Sequence, residues 1–124
     1  MQLIGHELVE FEPLFWTQST NEMSKDRLNL FEFDKDLIKF AKQHQMNFAT
    51  VCIDTKQAII ANACGAKFIL CHKLIAKNLS DLAQFYLFDA KIACVITHEH
   101  ELEELAKFGV DVAIFQKGVV GGNF

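Results

Sequence analysis

The sequence predicts an α/β fold: a mainly parallel sheet of about five strands with helices on both faces. Three observations predict it. Short, almost wholly apolar runs alternate with helix-like segments from Leu28 to Phe115. These runs are too short for helices and lack the alternation of a half-exposed strand, so they read as strands buried on both faces. A half-repeat also runs through this stretch. Thr55 to Leu70 and Glu99 to Ile114 each read as helix, glycine stop, strand, with Gly65 falling on Gly109, Ala61 on Leu105 and Leu70 on Ile114. Glycine ends a helix readily because it has no Cβ to oppose a left-handed residue. Strands separated by helices pair in parallel through right-handed crossovers.

Residues 1–27 read as an extension preceding the core. Leu3-Ile4 and Leu8-Val9 suggest a short strand, Pro13 interrupts any ladder, and Leu14-Phe15-Trp16 is an apolar triplet outside the repeat. The triplet is expected to cover a sheet edge or a partner subunit. Thr17 to Arg27 is polar and reads as a linker or short helix.

The core, residues 28–115, follows. Strands are expected at 28–33, 47–53, 67–71, 90–96 and 110–115. Asp34 is placed to cap a helix over 37–44, whose Leu37, Ile38 and Ala41 share a face. Asp54 or Thr55 starts the helix that stops at Gly65. The region from His72 to Phe88 is the longest helical pattern, with Ser80-Asp81 offering a second start. Thr97 or His98 opens an acidic helix over 99–108. Residues 116–124 are Gly-rich and read as a fraying tail. The whole chain, 1–124, is expected to be one domain.

Composition narrows the functional classes. A formal charge of -4 argues against nonspecific nucleic-acid binding, which needs a basic face. No apolar run approaches the roughly 18 residues of a membrane-spanning helix. Glu7, Glu10 and Glu12 stand where a signal peptide would need positive charge. The chain is therefore expected to be cytoplasmic, with neither nucleic acid nor membrane as partner. A homodimer is expected from the apolar triplet and from the 12 Phe in so small a chain. Cys52, Cys71 and Cys94 lie in apolar strand-like runs and Cys64 in a helix. With no Cys-x-x-Cys, they read as reduced, buried small side chains.

Parallel sheets bind ligands beyond the carboxyl ends of their strands. The residues following the predicted strands are Asp34; Asp54 and Thr55; His72 and Lys73; Thr97, His98, Glu99 and His100; and Gln116, Lys117 and Gly118. Asp34, Asp54, Thr55, His72, Thr97 and Lys117 are the candidate ligand-binding residues. The two aspartates are first of all helix caps, each worth about 1 kcal/mol. His98 and His100 form His-x-His, which on a persisting strand would put both imidazoles on one face, able to chelate a transition metal. On a helix starting at His98 they would point apart. No cofactor is evident, and a divalent metal is the one this set would accommodate. Neither Gly-x-Gly-x-x-Gly nor Gly-x-x-x-x-Gly-Lys-Ser/Thr occurs. Thr97 and Lys117 match the Thr/Ser and Lys of phosphoreceiver domains, but Cys71-His72 stands where the phosphoacceptor Asp should follow the third strand.

The strings Gln57 to Leu70, Tyr86 to Ile92 and Leu105 to Phe115 resemble a family of short bacterial α/β proteins with no assigned function, over roughly 28–115. The Gly-Ala/Val-Lys/Asp-apolar pattern is also similar to the βα units of TIM-barrel and Rossmann-like domains. Both likenesses imply a fold, not an activity. The expected function is a small binding or interaction domain. The alternatives are a metal-dependent hydrolase-like site and a site for a small phosphorylated ligand, both at the strand carboxyl ends.

Overall fold

The computed structural model describes residues 1–122. The chain is α/β with an all-parallel sheet, as Rossmann-like domains are, but the sheet has eight strands and not about five. They are β1 (Gln2–Ile4), β2 (Leu14–Trp16), β3 (Leu28–Glu32), β4 (Phe48–Val51), β5 (Phe68–Leu70), β6 (Lys91–Ile96), β7 (Val112–Phe115) and β8 (Val119–Val120). The helices are α1 (Lys35–Gln43), α2 (Thr55–Ala63), α3 (Lys73–Phe85) and α4 (Leu102–Phe108), with a 3-10 turn over Glu99–Glu101 before α4. The five expected strands are β3 to β7, each lying within its predicted limits. Helix α3 runs unbroken through Ser80-Asp81.

The three additional strands come from the extension and the tail. Leu14-Phe15-Trp16 does not lie over a sheet edge. It is β2, paired with β3 on one side and β8 on the other, and Leu14 is fully buried. The tail does not simply trail off either, since Val119 and Val120 pair with Leu14 and Phe15; its last two residues lie outside the described ones. Of the two apolar pairs in the extension, Leu3-Ile4 lies in β1 and Leu8-Val9 is not in a strand; among the described residues β2 and β8 have no α-helix following them to mark a strand end.

The order β1-β7-β6-β5-β4-β3-β2-β8 forces the sheet to curl. If it were flat, β7 and β8 would lie six strand spacings apart, about 29 Å. Only residues 116–118 connect them, and the four steps from Phe115 to Val119 reach at most about 14 Å. The curled sheet is a half-barrel, in that β1 and β8 share no ladder among the described residues. Its ends nevertheless meet. A Cβ on Gly5 would lie 2.5 Å from the Gly118 nitrogen, and one on Gly118 would lie 2.7 Å from Ile4 Cγ2 and 2.9 Å from Ile4 O. Two glycines are what permit that approach.

Curling also corrects the layer arrangement, because the helices cover one face and not two. The outer cluster joins Phe31, Phe48, Ile69, Ile92 and Cys94 to α1, α2, α3 and α4 through residues such as Leu37, Ala61, Leu79 and Leu105. Strand residues alone make the inner cluster, with Ile4, Leu14, Leu30, Ala49, Leu70, Ala93 and Ile114 among them. The concave face closes on itself, so it needs no helix to keep water out. Buried Asn29 fastens the segment before β3: its Nδ2 donates to Ser24 O and Asn47 O, and its Oδ1 accepts from Ser24 N. No helix among the described residues is long and apolar enough to cross a membrane.

Candidate ligand site at the carboxyl ends of the strands

A parallel curled sheet delivers the carboxyl ends of all its strands to one rim. Between the ends of β1, β6 and β7 lies a cleft of about 390 Å³, lined by His6, Thr97, His98, Glu99, Gln116 and Lys117 among others. Next along the rim, at the ends of β4 to β6, a cleft of about 250 Å³ has Val51, Leu70 and Val95 with Cys71, His72 and Lys73. A third, of about 220 Å³, includes Trp16, Thr17, Phe33 and Asp34. One of about 390 Å³ at the opposite end is lined by Gln2, Ile4, Glu10, Phe11, Lys67 and Phe68 among others. The first cleft is the best candidate, because the residues that leave the strands are free to be chosen for a ligand there.

Hydrogen bonding decides which of its groups are available. His6 Nδ1 accepts from Leu8 N at 3.1 Å, and Nε2 lies 2.6 Å from Glu99 Oε2. An accepting Nδ1 places the proton on Nε2, where it is donated to the carboxylate. Both ring nitrogens are engaged, so His6 is a positioning group that ties the end of β1 to the segment after β6. Glu101 is the hub next to it. Its Oε2 accepts from the Thr97 and His98 backbone N–H groups, both at 2.9 Å, and Oε1 accepts from Lys73 Nζ at 2.7 Å. The Lys73 ammonium, then the two N–H groups, hold its carboxyl down at about 2. The same pairing, with Glu104 at 3.9 Å, raises Lys73 above the ordinary lysine value.

The structure separates the predicted residues into groups. Thr97, His98 and Lys117 meet in the first cleft. Thr97 Oγ1 donates to Glu101, and Lys117 makes no ion pair among the described residues. Asp34 caps α1, accepting from Asp36 N and Leu37 N, and Asp54 caps α2, accepting from Gln57 N. Thr55 is the first residue of α2. His72 caps α3 through Nδ1 and lines the second cleft. His98 and His100 stack with ring centroids 5.4 Å apart and planes 12° from parallel. No group of three or more His, Cys, Asp or Glu side chains is placed to hold a metal among the described residues.

His6 and Glu101 were not singled out by the sequence. The faint signal for His6 was Leu3-Ile4-Gly5-His6, a short apolar pair followed by a Gly and a polar residue. Glu101 had the capping position, three residues after His98. No family model matches the chain, and no curated protein matches it. Fold and site together define the class: a small parallel βα domain with a polar cleft at the carboxyl ends of its strands.

Proposed function

We propose that the protein is a binding domain for a small phosphorylated ligand, seated in the cleft between the ends of β1, β6 and β7. The observation that carries the proposal is Lys117. It stands in that cleft with no ion pair among the described residues, beside His98 and Gln116 as further hydrogen-bonding groups. A phosphate monoester supplies the anion that an unpaired ammonium favours. Glu7 and Glu99 on the same lining would accept from ligand hydroxyls, which points to phosphorylated polyols or sugars over inorganic phosphate.

The test is calorimetry and thermal unfolding against a panel of sugar phosphates, with the unphosphorylated sugars as controls. A phosphate-dependent shift that weakens with salt and disappears in Lys117→Ala is the expected result, since exposed charge pairs are screened. A flat panel, or an unchanged shift in Lys117→Ala, overturns the reading.

A further inference from the structure

Apolar exposure is not spread evenly over the helices. Helix α1 shows water Lys35, Asp36, Lys39 and Lys42, and α4 shows it Glu103, Glu104 and Lys107. Helix α3 buries Ala76, Leu79, Ser80 and Ala83, so the 3.6-residue period turns Leu74, Asn78, Asp81 and Phe85 outward as one stripe. Leu74 is 86% exposed and Phe85 78%. Tyr86 and Leu87 carry the apolar surface past the end of the helix, exposed by 65% and 83%. The Phe85 and Tyr86 rings meet edge to face, with centroids 4.9 Å apart.

Leu87 stands where α2 and α4 stop on glycine. The helix ends share one pattern of backbone bonds: Gly65 N to Asn62 O with Ala66 N to Ala61 O, Gly109 N to Ala106 O with Val110 N to Leu105 O, and Leu87 N to Gln84 O with Phe88 N to Ala83 O. The stop is left-handed in all three, with φ of 89°, 77° and 53°. Glycine avoids a steric cost there that leucine bears. A leucine kept in that conformation, with its side chain in water, fits a contact made outside the protomer.

We propose that α3 is the twofold interface of a homodimer, two copies packing antiparallel through Leu74, Asn78, Asp81 and Phe85. Area supports a second copy as the occupant. At about 200 Å² for each residue when fully exposed, Leu74, Phe85, Tyr86 and Leu87 leave roughly 600 Å² in water, and the polar residues between them extend the face towards the roughly 800 Å² that each partner of a standard interface buries. The stripe is also self-complementary, as a twofold axis requires. Leu74 and Phe85 lie about 16 Å apart along the helix, with Asn78 and Asp81 placed symmetrically between them. An antiparallel copy sets Leu74 against the partner's Phe85, and the Asn78 amide, a donor, against the partner's Asp81. Charge agrees with this. Lys77 and Asp81, 2.9 Å apart, put one charge of each sign on the face, so two chains of net charge -4 meet there without like charges opposed.

The experiment is sedimentation velocity on the untagged chain across micromolar concentrations. Expected is a species of twice the chain mass. Leu74→Glu and Phe85→Glu should each weaken association by about a hundredfold or more, since each buries an unpaired charge twice across the axis. Leu8→Glu, at a position 84% exposed on the segment before β2, should leave the dimer intact. All three side chains are exposed in the protomer, so circular dichroism should be unchanged in the variants. Cross-linking reads the register. In a Cys64→Ser background, a short bismaleimide should join Leu74→Cys chains to Phe85→Cys chains and join neither to itself. A monomer at every concentration, which would leave the face to a different protein, a dimer equally strong in both glutamate variants, or cross-linking that is absent or like-to-like would each overturn the proposal.

Discussion

From β3 to β6 each strand feeds directly towards a helix that packs back on the outer face, so every step of the sheet's middle is held by a ladder and by helix burial together. The ends are held otherwise. Strands β1, β2 and β8 are two or three residues long, and no α-helix lies between β1 and β2 or between β7 and β8. Beyond their ladders to β7, β3 and one another, their cohesion comes from inner-face burial of Ile4 and Leu14, the close contact of Gly5 with Gly118, and the His6–Glu99 bond. A repeated local unit thus builds the middle. Short ladders and contacts between residues distant in sequence, without helix cover, fasten the ends.

The comparison can be broken by substitution. Ile69→Ala, fully buried on the central strand β5, should cost most: about 2–5 kcal/mol in urea unfolding, as buried Ile-to-Ala changes do. Gly118→Ala should follow at about 1–3 kcal/mol, because its Cβ would overlap Ile4 Cγ2 and crowd the Ile4 carbonyl. Equal losses from both would mean that the seam is as integral to the fold as the middle.

Glu101 fastens the middle region at the rim, linking α3 to the segment after β6. Its carboxyl lies at about 2 when folded against an ordinary 4.5, so its contribution is complete above about 4.5 and is lost as pH falls from there towards 2. Glu101→Gln should flatten that part of the acid-stability profile and leave stability near pH 7 only modestly lowered; an unchanged acid limb would remove Glu101 as the hub. His6→Ala should be the smallest change, under about 1 kcal/mol, because its partner Glu99 is 74% exposed and such pairs are weak. A larger loss in thermal unfolding would show that the β1 end depends on that bond more than on Ile4.

Legibility in the sequence follows the same division. The Asp34 and Asp54 caps and the glycine stops at 65 and 109 are local chemistry, and they were readable because their partners lie within a few residues. Leu14-Phe15-Trp16 was conspicuous yet misread, since its partners, Leu28 and Val119, lie 14 and 105 positions on from Leu14. The candidate site was half legible. Thr97, His98 and Lys117 were found because they follow strong strands. His6 follows a three-residue strand, and the role of Glu101 depends on Lys73, 28 positions away.

By itself the sequence determined the α/β class, the parallel pairing of the middle strands and the side of the sheet on which polar residues gather, because periodicity, capping and crossover handedness act over short stretches of chain. Tertiary structure alone decided the curl, the eight-strand count, the helix-free inner face and the engagement of both His6 nitrogens. Each of these depends on where residue 5 meets residue 118, and such closure is a property of the whole chain, with no local pattern to announce it.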